Sequence, residues 1–521
     1  VLLLIKHFGA TSAEIVKSCR KITTICISFF VFGKPWTLCH VAGGLLFTSS
    51  IAVERSAAGG SSRRFAAALF GTALLFSIWL VVAGTGPSSF SVVIDAGSAG
   101  TRVNVFRFDA WTLKLLDIGG NAQVFEEHEP GISAFAQDFS GLQGLLQPLL
   151  QTAMNTVPVG QRASTPLALR ATATLQVLPL ADADALLEEI QRVLAPSGFK
   201  DAGVERMGGA EEGESEWLTV NFLMGAFRPG VQQVTDPVDV VDLGGATVQM
   251  AYFLDDKNAE KAKRRHYEDY IRSLTLPFGS GEATLYQHSY TGYGLHAARA
   301  KSFEELAKAG IKDGRHPCLP SGSDFGLPSR PSLKDQPRAL TVTGAADADG
   351  CAALIAFILH KEMPCDEEAS DEASSSSGGA FLPSDGARTG VSTNPGSARA
   401  KLGSCTFGGA WGGPGSGSKR IVLASYFYDR MRDAGVIDPA AHSQELRPSD
   451  FAREAGRACR ASIAGLEAAA AAFPDLSSDR AAWMCFDLSF EAALLSSGFG
   501  FAETKPLLVV KKIDYNGLQF E

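Results

Sequence analysis

No two cysteines in this chain of 521 residues stand at C-x-x-C spacing, and no Asn-x-Ser/Thr sequon occurs in it. The first absence removes the zinc sites that such pairs build, and the second leaves N-glycosylation without sequence support. Basic charge is also scarce: 47 Lys and Arg face 56 Asp and Glu, for a formal net charge of −9. A general nucleic-acid binder needs a basic face, so no nucleic-acid partner is expected. The hydrophobic fraction of 45% and charged fraction of 20% are those of a globular protein, and the length allows two or more domains with their own cores.

What basic charge there is gathers early. Up to Arg64 the Lys and Arg residues outnumber Glu14 and Glu54, so 1–64 reads as a basic leader. Phe65 to Gly84 then carries no charge, directly after Arg63-Arg64. An apolar run of about 20 residues can cross a bilayer, and the basic flank favours a membrane anchor at 65–84 over a buried core helix. The expectation is a single-pass protein with its N-terminus in the cytosol. The remainder would then lie in a lumen or outside the cell, in the Golgi, the secretory pathway or at the cell surface. Cysteine usage agrees, because Cys318, Cys351, Cys365, Cys405, Cys459 and Cys485 make an even set in the second half. Three disulfides in an oxidising compartment are expected, the alternative being buried free thiols.

The centre of the sequence is a repeat. Val92-Val93-Ile94-Asp95-Ala96-Gly97-Ser98-Ala99-Gly100-Thr101-Arg102 returns as Val240-Val241-Asp242-Leu243-Gly244-Gly245-Ala246-Thr247-Val248-Gln249. Each copy is an apolar run ending in Asp, a Gly-rich turn with hydroxyls, and a second alternating run, which reads as a β-hairpin with an open tip. Glycines let backbone N–H groups close on an anion, and Ser98, Thr101 and Thr247 add hydroxyl donors, so such a tip can cradle phosphate. A carboxylate beside phosphate calls for a cation between them, which makes Asp95 and Asp242 candidates to hold hydrated Mg²⁺ or Ca²⁺.

Between and beyond the copies, Leu142 to Met154 has helical apolar spacing, and Pro166 to Leu175 reads as a strand running into a loop. Asp182 to Leu194 reads as an amphipathic helix with Asp182 as its cap. Gly208-Gly209-Ala210-Glu211-Glu212-Gly213-Glu214-Ser215-Glu216-Trp217 is a glycine turn opening a helix. Acidic residues there favour the helix dipole. Four carboxylates exceed that need, and one of them held over phosphate would activate water. Asp366 to Gly403 has the composition of a disordered insertion. Ile421 to Tyr428 is aromatic-rich, suited to core packing or to stacking on a nucleobase.

Taken in order, DAGSAGTR from Asp95, LRATATLQVLP from Leu169, GGAEEGESEWLTVNFLMG from Gly208, VVDLGGATVQM from Val240 and CTFGGAWGGPG with VLASYFYDR between Cys405 and Arg430 resemble the signature stretches of the apyrase family, the nucleoside triphosphate diphosphohydrolases. The last of these, with RACRASI from Arg457 and MCFDLSFEAALL from Met484, looks most like plant-type apyrases. Glu216 stands where that family commonly has Gly.

The resemblance implies an α/β, ribonuclease H-like fold with two lobes of the actin, sugar-kinase and heat-shock-chaperone ATPase type. Lobe I would be 90–207 plus 490–521, and lobe II 208–489. It further implies Glu212 as general base on the attacking water, with Thr247 and Gln249 orienting that water. Gly97, Ser98, Ala99, Gly100, Thr101, Arg102, Thr172, Gly244, Gly245 and Ala246 would hold phosphates. Asp95 and Asp242 would hold Ca²⁺ or Mg²⁺ through water, and the disulfides would be Cys318–Cys351, Cys365–Cys405 and Cys459–Cys485. Tri- and diphosphate nucleosides would be the substrates, cleaved without a covalent intermediate. A catalytically impaired nucleotide-binding or interaction protein, and a polyphosphatase or kinase of the same fold, are the alternatives.

Overall fold

The structure is a computed structural model. It describes residues 88–97, 100–110, 113–172, 175, 178–227, 234–264, 266–308, 314–321, 324–326, 341–360, 405–413, 420–461 and 478–521. The chain separates into two units. One comprises 1–91 and 106–122 and the other 92–105 and 123–521, so every described candidate site residue falls within the second.

The first sheet is built from β1 (Ser88–Ala96), β2 (Thr101–Asp109), β3 (Gln123–His128), β4 (Pro166–Ala171) and β5 (Lys200–Arg206), in the order β3-β2-β1-β4-β5. β1, β4 and β5 run parallel. Alternation in β1 buries Val92, Ile94 and Ala96, as period two demands of a strand with one face on a core. Helices α1 (Leu142–Thr156) and α2 (Leu180–Leu194) belong to this part. In α1 the buried residues Leu142, Leu145, Leu146, Leu149, Leu150 and Ala153 recur at helical spacing. Helix α2 begins two residues earlier than expected, so Asp182 is not its cap. It sits in the first turn, where its charge suits the helix dipole and its Oδ2 accepts from Gln137.

Helix α3 (Gly209–Leu223) leads to the second sheet, formed by β6 (Asp239–Leu243), β7 (Thr247–Leu254), β8 (Ile271–Thr275), β9 (Glu282–Thr291), β13 (Ile421–Ser425), β14 (Ser443–Leu446) and β15 (Leu507–Val510). Its order is β14-β15-β13-β6-β7-β9-β8. Read from β9, the run β9-β7-β6-β13-β15 repeats the order of the first sheet, with β6, β13 and β15 again parallel. The duplication seen in two short stretches of sequence is therefore a duplication of whole sheets, with β8 and β14 added at the edges. Because β15 lies in the second sheet, residues 507–510, assigned to the first lobe from sequence, instead contribute a strand to the second.

A small sheet of β10 (Arg315–His316), β11 (Asp324–Gly326) and β12 (Thr341–Gly344) and a terminal pair, β16 (Ile513–Tyr515) and β17 (Leu518–Phe520), complete the strands. Helices α4 (Leu295–Lys308), α5 (Ala348–Leu359), α6 (Tyr426–Asp433), α7 (Pro448–Arg460) and α8 (Ser478–Ala493) accompany the second sheet. Phe427 and Tyr428 are buried in its core. Disulfides join Cys318 to Cys351 and Cys459 to Cys485. The Sγ atoms of Cys351 and Cys485 are 3.9 Å apart. Cys351, Cys459 and Cys485 cluster as metal ligands would, but all three sulfurs are spent in disulfides and offer no thiolate. Cys365 lies outside the described residues.

The expected membrane anchor requires correction. Among the described residues no helix is long and apolar enough to cross a membrane. The 65–84 segment itself lies outside them, so single-pass topology, a membrane partner and a lumenal or extracellular position drop out of the account.

Charge is buried where three helices meet. Asp487 of α8 takes Arg299 Nε of α4 at 2.8 Å and Arg430 Nη1 of α6 at 3.5 Å. One turn on, Glu491 is fully buried, and neither of its oxygens has a partner among the described residues. Burial, then the Asp487 charge, hold its carboxyl well above 4.5. A raised folded pKa means that the native state keeps a proton the unfolded chain gives up. The stabilising contribution is complete below the unfolded pKa and is lost as pH rises toward the folded one. Glu491→Gln keeps the shape without the charge. It should match the parent at about pH 4 and melt higher at about pH 8; a lower Tm for the variant at the higher pH would contradict this.

Candidate active site

The two loops of the repeat share one backbone bond. Gly97 N–H donates to Gly100 O at 3.0 Å, and Gly244 N–H to Thr247 O at 3.0 Å. Each turn lies two residues past an Asp that ends the first strand of its sheet. Strand four of each sheet then delivers a hydroxyl residue beside that Asp. Thr172 N–H follows β4 and donates to Ala96 O at 3.3 Å. Ser425, at the end of β13 and paired with Leu243, hydrogen-bonds the Asp242 carboxylate. Ser425 adopts φ 60°, a left-handed conformation costly for a residue with a Cβ and typical of functional sites. In sequence it stands inside an aromatic run, with no local signal that sets it apart. Ser98 and Ala99 lie outside the described residues.

A row of side chains crosses the second sheet. Asp242, Gln249 and Ser289 are register partners on β6, β7 and β9, so they share a face. Gln249 is 1% exposed. Its Nε2 donates to Glu212 Oε2 at 2.9 Å and Thr247 Oγ1 at 2.7 Å, and lies 3.4 Å from Ser289 Oγ. Its Oε1 is buried without a partner among the described residues.

Glu212 reaches this row because α3 lies close on β9. A Cβ at Gly209 would meet Ser289 Oγ at 2.5 Å, and one at Gly213 would meet Gln287 Cγ at 3.1 Å. Gln287 Nε2 donates to Gly209 O at 3.0 Å. Glycine four residues apart thus opens one face of the helix to the sheet. Trp217, fully buried against Phe227, anchors the next turn.

The four glutamates divide their work. Glu211 Oε2 accepts from Gly208 N–H at 3.0 Å and so closes the helix start. Glu214 pairs with Arg272 at 3.4 Å. Burial, then the charges of Asp242 and Asp95, push the Glu212 carboxyl up to about 8 against the opposing Gln249 bond. Glu216, one turn further, is raised well above its usual range by burial, then Asp242 and Glu212. The sequence counts it among the four carboxylates at the helix start, and its i+4 spacing sets it one turn from Glu212.

Asp95 and Asp242 are both raised by burial, and Asp242 also by the Asp95 charge. Asp242 Oδ1 is buried with no partner among the described residues. Asp242 with its orphan oxygen and the part-exposed Asp95 are together the hard donor set that a hydrated divalent cation satisfies. Thr101 is fully buried with its hydroxyl unpartnered among those residues. Arg102 is engaged with Asp95 and Glu127.

The model of the GDA1/CD39 (nucleoside phosphatase) family matches residues 82–385 and 393–521. A probable apyrase 2 of Oryza sativa subsp. japonica is 34% identical over 435 residues, 82% of each chain. An apyrase of Solanum tuberosum is 31% identical over 431 residues, 82% of this chain and 84% of its own. Among solved structures, nucleoside triphosphate hydrolases from Neospora caninum align with TM-score 0.54 over 88% of this chain and 94% of theirs, at 15% identity. That last likeness speaks to fold alone.

The segment after β9 holds the second loop. Gly292, Leu295 and Ala297 N–H groups donate to Ala246, Gly244 and Gly245 O at 3.0, 2.9 and 3.0 Å. A Cβ at Gly294 would come within 2.4 Å of Thr247 N. Gly294→Ala should therefore destabilise by about 1–3 kcal/mol in urea unfolding. Gly160→Ala, with nothing within 4 Å of the new Cβ, should differ little from the parent. Equal behaviour of the two variants would refute the close approach.

Proposed function

The chain belongs to the GDA1/CD39 (nucleoside phosphatase) family and is a hydrolase of the apyrase type, and from that premise we propose that it cleaves the terminal phosphate of nucleoside tri- and diphosphates by direct in-line attack of water held by Glu212. The observation that carries this reading is the Glu212 Oε2 to Gln249 Nε2 bond of 2.9 Å, made within the fields of Asp95 and Asp242.

Phosphate lies between the two loops, whose Gly97 and Gly244 N–H groups close the turns, against the backbone of Gly100, Gly245 and Ala246, with Thr101, Arg102 and Thr172 as further donors. Such preformed donors cost no reorganisation when charge spreads over the equatorial oxygens. Asp95 and Asp242 would hold Ca²⁺ or Mg²⁺ through its water shell, and that ion would supply positive charge to the phosphates. Glu212 takes a proton from the water as it attacks. Thr247 and the unpartnered Oε1 of Gln249 orient that water. Burial first, then the charges of Asp242 and Asp95, draws the Glu212 carboxyl up toward the range where a base operates near neutral pH.

The test is phosphate release from ATP, ADP and GDP with and without added Ca²⁺ or Mg²⁺. Glu212→Gln should lower kcat about 10²- to 10⁴-fold. Glu211→Gln should lose about 1 kcal/mol of stability at most while staying active. Release from the parent that is indifferent to both the cation and Glu212→Gln would defeat the proposal.

A further inference from the structure

Arg102 follows the first loop on β2, and its guanidinium spans two carboxylates. Nη1 donates to Asp95 Oδ2 at 3.2 Å and Nε to Glu127 Oε1 at 2.9 Å. Glu127 stands on β3, outside every motif of the sequence. It nevertheless reaches the loop: a Cβ at Gly100 would come within 2.8 Å of Glu127 Oε1. On the other side of the same turn, a Cβ at Gly97 would come within 3.3 Å of Arg102 Nη1. The guanidinium and the Glu127 carboxylate are thus packed on the two glycines that frame the turn.

Three features of this geometry bear on function. A bare carboxylate beside the loop would repel phosphate, and the Arg102 bond offsets that charge. Asp95 receives from Arg102 the positive charge that a divalent cation would otherwise supply. A guanidinium that gives Nε to Glu127 and Nη1 to Asp95 still has Nη2 to offer, because its donors form a planar fork.

We propose that Glu127 is a positioning residue: it holds Arg102 across Asp95 in the nucleotide-free protein, so that arginine and cation compete for Asp95, and the displaced arginine turns to the phosphate. The inference rests on the reading of Asp95 as a cation holder. All three side chains are about one-third exposed (33%, 36% and 35%), so the pair is weak enough to exchange with a cation rather than lock the site.

Mn²⁺ titration of the nucleotide-free full-length protein, followed by electron paramagnetic resonance, reads the competition without turnover. Arg102→Gln should bind Mn²⁺ about three- to fivefold more tightly, while its KM for ATP rises about tenfold through the lost phosphate contact. Glu127→Gln frees Arg102 from its place across Asp95 and should tighten Mn²⁺ binding about threefold. In the Arg102→Gln background the same change should have no effect, since Glu127 acts through Arg102. An equal change in both backgrounds would mean that Glu127 acts on the cation directly and would overturn the inference. So would Mn²⁺ affinity unchanged by Arg102→Gln. Asp95→Asn separates the premise: unaltered Mn²⁺ binding there would remove Asp95 as cation holder, whatever the arginine does.

Discussion

Carboxylates do not gather unless something balances their charge, and this fold brings four half-buried ones into one another's fields. Asp242 feels Asp95, Glu212 feels both, and Glu216 feels Asp242 and Glu212. The balance comes from fixed donors and from positive charge. Ser425 and Gln249 bond to Asp242 and Glu212, while Arg102 lies on Asp95. Protons or cations brought to the cluster would lower its repulsion further. Burial makes each carboxylate sensitive to its neighbours, so charge placed there acts strongly on a substrate.

Duplication of one sheet supplies the symmetry of the site. Strand one of each sheet ends in Asp, the next residues close a turn with the same 3.0 Å backbone bond, and strand four brings Thr172 or Ser425 alongside. In open α/β sheets the ends of parallel strands are where loops can diverge without disturbing the core. Here both copies use those ends to present backbone donors. The helix that leaves the last strand of the first sheet belongs to neither copy, and it carries the glutamate that breaks the symmetry.

That helix shows how one short sequence can serve several faces. Gly209 and Gly213 let its backbone approach Ser289 and Gln287. Glu211, between them, turns back to cap the helix, and Glu214 points to Arg272. Residue identity alone does not separate these roles, because all four glutamates carry the same chemistry. Helical rotation of about 100° per residue separates them, once the packed face is known.

Local pattern determined a good deal. The repeated Asp and Gly-rich turn, the helical spacing through Trp217 and the strand alternation around Ile94 follow from side-chain periodicity and backbone freedom, which are properties of neighbouring residues. Tertiary structure decided the rest. Ser289, Ser425, Gly294 and Glu127 lie far along the chain from the groups they touch, in segments whose own pattern reads as ordinary strand or turn. The start of α2 shifted and the C-terminal strand joined the second sheet because pairing and burial outweigh local propensity. What sets Glu212 apart among the four is its bond to Gln249, a consequence of two glycines meeting one strand. The amino-acid order encodes that contact only through the fold.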